Sequence, residues 1–546
     1  MKTVPHNYYP RPQMKRDSFF SLNGEWRFGE SEECDKIITV PFPPESRLSG
    51  LNVTPTPGWT VFYKKTFSLP EKFNTGRVIL HFGAVDTITE VRLNGSLLGS
   101  HEGGYHPFSF DVTELLKDEN ELSVKVTDDL SGRYPYGKQS KKRGGMWYTP
   151  HSGIWQSVWL ESVPMDGIES IILKQSLNSV TVKVRAGGEK RKITLYKTGE
   201  VFEFYGDEVT FTPSEVRNWS PDDPFLYYFT LENETDKVES YFALREISVK
   251  ELNGVPRLCL NGTPYLFNGL LDQGYYDDGI VTPKDKDAFE KDILLAKSLG
   301  FNTLRKHIKV EPLVFYHLCD VLGMVIFQDI VNNSDYSFFR DTALPTVGFK
   351  SRSDKKLHRN DDERQIFLRE MRLTEELLNN SPCVLYYTVF NEGWGQFCAD
   401  EAYEIAKSYA PDRIIDATSG WFIQTKSDVD SRHIYFKPLS AKKPHPTRPL
   451  VISEFGGYSH RVDGHLFGEK NYGYKTFNER KDFENALVKL YTDAFPLVKN
   501  AISALILTQI SDVEDETNGL VTYDRQVVKV NEERIRELMT ELKKQI

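Results

Sequence analysis

From about residue 20 to residue 163, apolar and polar positions alternate over short runs such as Val61 to Phe67, Arg77 to Phe82, Glu90 to Leu93 and Glu121 to Val126, with turn residues between them. A period of two buries one face of each run and wets the other, so these runs predict strands. Asn94-Gly95 after Val91-Arg92-Leu93 predicts a tight hairpin, because both central residues of such a turn need positive φ. Even spacing of the strands predicts a jelly-roll β-sandwich over 1–163. Ser179 to Val184, Lys192 to Tyr196 and Phe225 to Leu231, the last preceded by the rigid turn Asn218 to Pro224, predict a smaller immunoglobulin-like sandwich over 164–249.

After about residue 250 the rhythm becomes strand, loop, helix. Uninterrupted apolar runs, expected of parallel strands buried on both faces, occur around Leu266 to Gly269, Asn302 to Arg305, Met324 to Asp329, Leu385 to Asn391, Ile414 to Ala417, His433 to Phe436, Leu450 to Glu454 and Ala504 to Thr508. Amphipathic stretches such as Asp285 to Leu299 and Asp361 to Leu378 lie between them. The pattern predicts a (β/α)8 TIM barrel over 250–546, making the whole a multidomain β plus α/β protein. Polar residues recur at the carboxyl ends of these runs, where barrels of this kind carry their chemistry: Asp272, Gln273, His307, Asp329, Asn391, Glu392, Glu454 and Gln509.

A length of 546 residues requires several cores, and a formal net charge of −10 with no long basic block argues against nucleic acid or membrane partners. The densest basic run, Lys138 to Arg143, reads as a solvated loop. Met1 to Asn7 lacks the apolar core of a signal peptide and no window is long enough to span a membrane, so a cytoplasmic location is expected. Five cysteines without CxxC spacing suggest neither disulfides nor zinc.

Glu392 ends the fourth barrel run and Glu454 the seventh. Side chains reaching inward from opposite walls would leave a gap of about 5 Å, which suits one carboxylate attacking an anomeric carbon while the other protonates the departing oxygen. Phe390 and Trp394 supply apolar surface that would keep Glu392 protonated, and Tyr458 is a candidate hydrogen-bond donor to Glu454. The alternative from the residues alone is that either glutamate is an ordinary cap or loop charge.

The domain order, together with Ser21 to Phe28, the Val91 to Gly95 hairpin, Gly153 to Leu160, Asn391-Glu392 and Ser453-Glu454-Phe455-Gly456, resembles glycoside hydrolase family 2, the β-galactosidase, β-glucuronidase and β-mannosidase family. The resemblance implies that Glu392 is the general acid/base, Glu454 the nucleophile and Asn391 a ligand of the sugar 2-hydroxyl. It also places His307 and His433 near the substrate.

This chain departs from the family pattern at several points. Trp147 stands where an acidic residue of the first domain is usual, and Phe327-Gln328-Asp329 replaces the Asp-Glu after strand 3, with no histidine following as far as Phe349, so a family-type Mg2+ site is not expected and no cofactor is implied. The Glu514 to Leu520 stretch carries three carboxylates and no lysine, which would repel a uronic acid, and Lys475, the one substitute cation considered, reads rather as a solvated surface lysine. Asp272, Gln273 and Tyr275 suit hydroxyl recognition and ring stacking, with Trp394 and Trp421 as platforms for the leaving group. The expectation is a retaining exo-acting β-glycosidase on an oligosaccharide or small glycoside, with galactose the preferred glycone and a uronic acid or mannose-type sugar the alternative. An inactive carbohydrate-binding protein is the rival from another class, and homo-oligomerisation is left open.

Overall fold

The computed structural model describes residues 4–54, 56, 58–349 and 352–546, so the start of the Met1 to Asn7 stretch lies outside the described residues. In the first sandwich, a six-stranded antiparallel sheet (Lys36–Val40, Gly24–Gly29, Trp59–Phe67, Asn120–Asp128, Ile88–Leu93, Ser96–Glu102) faces a four-stranded one (Phe19–Ser21, Val158–Val163, Arg77–Phe82, Phe108–Asp111). The predicted alternation is visible in Asn120–Asp128, where Leu122, Val124 and Val126 are buried against Tyr63, Leu80 and Val91. Asn94 and Gly95 both adopt positive φ, as the hairpin requires. A second sandwich follows, with sheets of three and four strands closing over Ile171, Val182, Ile193 and Phe229.

The barrel strands are β1 (Phe267–Asp272), β2 (Thr303–Lys306), β3 (Val325–Asp329), β4 (Val384–Asn391), β5 (Ile414–Ser419), β6 (Asp430–Ile434), β7 (Leu450–Gly456) and β8 (Ile502–Thr508). They form one parallel eight-stranded sheet in the order β5-β4-β3-β2-β1-β8-β7-β6, and only β5 and β6 lack a shared ladder, so the barrel is nearly closed. All residues of β1 to β5, β7 and β8 are buried, which explains their unbroken apolar character. Around them lie the helices α1 (Lys286–Ser298), α2 (Leu313–Leu322), α3 (Asp361–Leu378), α4 (Ala399–Tyr409), α5 (Arg480–Asn500) and α6 (Glu532–Lys543).

Helix α3 illustrates the local logic. Asn360 caps it by accepting from Asp362 N and Glu363 N, three acids occupy its first turn, and Ile366, Phe367, Met371 and Leu378 form the buried stripe. The same helix joins the barrel to the first sandwich, since the two ring nitrogens of His106 lie 2.9 Å from Glu370 and 2.9 Å from Thr374. The second sandwich docks on α2, where Trp219 Nε1 donates to Asp320 O and Tyr241 Oη to Asp320 Oδ2, both at 2.8 Å. Among the described residues, no helix is long and apolar enough to cross a membrane.

Candidate active site

The carboxyl ends of β2, β3, β4, β6 and β7 converge on Arg305, which is 1% exposed. Its guanidinium donates to Asp329 Oδ1 (2.9 Å), Glu454 Oε1 (3.0 Å), Asn391 Oδ1 (2.8 Å) and Ser453 O (3.0 Å). A buried charge of this kind is tolerated because two carboxylates balance it and its fork of donors is used. Burial alone would raise the Asp329 carboxyl, but Arg305 and His307 together hold it below the ordinary range. His307 Nδ1 lies 2.7 Å from Asp329 Oδ2, yet burial outweighs that partner and lowers the imidazole from its usual value, which favours the neutral ring.

Glu454 is held at both oxygens, by Arg305 at Oε1 and by the Tyr435 hydroxyl at Oε2 (2.6 Å). Accepting from a cation at one oxygen and from a phenol at the other favours the carboxylate form. Tyr435 is fixed in turn by stacking on Tyr474, with centroids 3.9 Å apart. Glu392 directly follows β4 at φ 51, with its N–H bonded to Ser419 O at 2.9 Å. His433 Nδ1 lies 2.7 Å from Glu392 Oε1 and 3.5 Å from Glu454 Oε2, so the imidazole bridges the two glutamates. His433 Nε2 faces Arg305 Nη1 at 3.4 Å and Ser419 Oγ at 2.9 Å. Because Arg305 only donates, the ring proton belongs on Nδ1 and is directed at Glu392.

One oxygen from each of Glu392 and Glu454 and one His433 nitrogen lie within 4.8 Å of one another, the one such ligand-type cluster among the described residues. The Arg305 guanidinium on Glu454 makes this a poor cation site. Its chemistry is better suited to paired carboxylates, since the separation matches the short spacing of a nucleophile and an acid on one bond rather than the wider gap that admits a water between them.

Other residues singled out from sequence fall in different places. Trp394 is buried beside this cluster, its ring 6.3 Å from His307, 5.4 Å from Trp147 and 5.7 Å from Tyr336. A groove of about 490 Å³, lined in part by Tyr136, Trp147 and Tyr336, adjoins it. Trp421 lies 5.7 Å from the His433 ring. Gln509 Nε2 donates to Asn518 Oδ1 at 2.7 Å and reaches Glu516 Oε2 at 3.4 Å.

Asp272 is instead tied to Lys306 (2.7 Å) in a buried network with Glu311 and Lys309, and Tyr275 packs edge-on to Tyr148 in the apolar seam between the first sandwich and the barrel. Gln273 is buried next to them in the chain. Tyr458 is not the donor to Glu454: it lies in a strand pair outside the barrel, packed on Phe477, and Tyr435 takes that position because the β6 end, not the stretch after β7, faces the carboxylate. Lys475 is exposed on the same outer pair. Arg305 and Tyr435 were visible in sequence only as neighbours of His307 and His433; their roles depend on contacts far along the chain.

The basic run also differs from its reading as a solvated loop. Lys141, Lys142 and Arg143 are exposed, but Lys138 is buried, with its Nζ 4.9 Å from the Trp394 ring centroid.

Residues 252–544 match the model for the glycosyl hydrolases family 2 TIM barrel domain, and residues 43–154 match that for the glycosyl hydrolase 2 galactose-binding domain-like fold. By sequence, the chain is similar to a β-galactosidase of Thermoanaerobacter pseudethanolicus (24% identical over 335 residues, 57% of this chain and 44% of the relative). It is also similar to one of Pseudoalteromonas haloplanktis (24% over 510 residues, 84% and 44%). It thus spans less than half the length of these relatives. By structure, it resembles a β-D-glucuronidase of Dictyoglomus thermophilum (TM-score 0.77, 18% identity, 97% of this chain and 98% of that one). A β-galacturonidase of Eisenbergiella tayi bound to galacturonate is similar as well (TM-score 0.70, 19% identity, 98% and 99%). At such identities the likeness speaks for the fold.

Proposed function

Since the chain belongs to glycosyl hydrolase family 2, we propose that it is a retaining β-glycosidase that removes a terminal sugar through a covalent glycosyl-enzyme at Glu454. The observation that carries this reading is the pair of strand-end glutamates, close enough to share His433, with Glu454 accepting from Arg305. In the first step Glu454 attacks the anomeric carbon as the glycosidic C–O bond breaks, and Glu392 gives its proton to the departing oxygen. A water then attacks the same carbon, gives its proton to Glu392 and releases Glu454 as carboxylate.

Asn391, whose Oδ1 is taken by Arg305, keeps its amide N–H groups for the sugar 2-hydroxyl, a contact that strengthens as positive charge develops on the ring. Trp394 and Trp147 form an apolar wall beside the glutamate pair.

The named relatives divide over the glycone, galactosidases by sequence and uronic-acid glycosidases by structure. The two glutamates act at the anomeric carbon, so they carry the reaction class rather than the sugar's identity. Proton NMR of the first sugar released from a 4-nitrophenyl β-glycoside tests the reading. The β-anomer is expected before mutarotation, and initial release of the α-anomer would contradict it.

A further inference from the structure

The 129–152 loop leaves the first sandwich, crosses to the barrel and returns at Gly153. It is anchored by Tyr136 N to Asn332 O (3.0 Å), Thr149 N to Glu514 Oε1 (2.8 Å) and the Tyr148 hydroxyl to Glu516. Between these anchors Lys138 is 5% exposed. Its ammonium lies 4.9 Å from the Trp394 ring centroid and 6.0 Å from that of Tyr148, and among the described residues it makes no hydrogen bond and no ion pair. Glu516 is an electrostatic neighbour of this ammonium but forms no ion pair with it, and aromatic faces offset only part of the cost of burying the charge. The same Trp394 ring neighbours His307, whose partner Asp329 shares Arg305 with Glu454, so this ammonium stands at the edge of the reaction site.

We propose that Lys138 is a specificity-determining residue contributed by the first sandwich, and that its ammonium binds the carboxylate of a uronic-acid glycone. This rests on the glycosidase reading above. A hydroxyl would satisfy one donor without pairing the charge directly, whereas a carboxylate does both through a charge-assisted bond. The acidic stretch that argued from sequence against a uronic acid is neutralised in the fold. Glu514 and Asp515 lie 3.4 and 3.5 Å from Arg143. Glu516 accepts from Tyr148 and Gln509, and burial raises its carboxyl above the usual range against the opposing pull of Lys138 itself, which favours the neutral form. Lys475, the alternative cation, is exposed on the outer strand pair.

The test uses the full chain and its Lys138→Met variant, which keeps an apolar stem against Trp394. Kinetics are measured on the 4-nitrophenyl β-glucuronide, β-galacturonide, β-galactoside, β-glucoside and β-mannoside. Thermal shift is measured with free glucuronate, galacturonate, glucose and galactose. The wild type is expected to prefer a uronide. Lys138→Met should lose on the order of 100-fold or more in kcat/KM on that uronide, with less than about threefold change on any neutral glycoside it cleaves. A wild-type preference for a neutral glycoside, or an equal loss on both classes, would overturn the role of Lys138 and leave the glycosidase reading intact. Stabilisation by a uronate that Lys138→Met abolishes, with no glycoside cleaved, would overturn the glycosidase reading while supporting the anion site. If the wild type neither cleaves a uronide nor is stabilised by a uronate, the proposal is overturned, even where Lys138→Met fails to fold.

Discussion

At the scale of single residues, Glu392 and Glu454 differ in what touches them rather than in what they are. Glu454 accepts from a guanidinium and a phenol, while Glu392 sits beside the bridging imidazole at φ 51, a left-handed backbone that costs a glutamate on the order of 1 kcal/mol. That strain is held by the Ser419 hydrogen bond and by the turn that follows. If Glu392 supplies the proton, Glu392→Gln should slow cleavage of a poor leaving group by roughly 10²- to 10⁴-fold. A 2,4-dinitrophenyl glycoside, whose leaving group needs no proton, should be affected far less in the bond-breaking step. Equal losses on both, measured by single-turnover kinetics, would remove Glu392 from that role.

At the scale of elements, the catalytic geometry depends on how β4, β5, β6 and β7 end. Gly420 follows β5 at φ 88, and a Cβ there would lie 2.6 Å from the His433 ring. Gly420→Ala should therefore push the imidazole away from Glu392 and lower kcat/KM at least roughly tenfold, by the loss of one hydrogen bond to a charged group. Unchanged kinetics would show that His433 does not orient the acid.

The barrel strands were legible because burial on both faces leaves an unbroken apolar run, and the two glutamates because each stands at the end of such a run with a glycine one or two residues on. The start of β6 was missed by a few residues, since Asp430-Ser431-Arg432 carries no apolar signal and its outward faces stay polar. Arg305 is 149 residues from Glu454 and Lys138 lies in another sandwich altogether. Neither contact has a local pattern to reveal it, and a lysine three residues before the exposed Lys141, Lys142 and Arg143 reads as surface until the loop's anchors are known.

At the scale of the molecule, several carboxyls are buried where only the neutral form is comfortable. Glu375 on α3 is 2% exposed, both oxygens lack hydrogen-bond partners, and burial pushes its carboxyl up to about 9. Glu45 and Asp128 in the first sandwich are pushed up to about 8, again chiefly by burial. In the unfolded chain such groups ionise near their ordinary values, so over the intervening range the folded state binds more protons and stability falls as pH rises. The contribution of Glu375 is present in full at pH 4 and below, and declines toward pH 9. Glu375→Gln should consequently raise Tm more at pH 8.5 than at pH 5, and an equal change at both would mean that Glu375 ionises normally in the fold.

On the proposed reading, the sandwiches and the barrel closure together present Glu454 to one anomeric carbon. Incubating the protein with the 2,4-dinitrophenyl 2-deoxy-2-fluoro-β-glycoside of the sugar it cleaves best, then mapping peptides by mass spectrometry, tests that most directly. The expected result is a single fluoroglycosyl adduct on the peptide carrying Glu454, lost in Glu454→Gln. An adduct on any other residue, or complete hydrolysis of the reagent without a covalent species, would contradict Glu454 as the nucleophile.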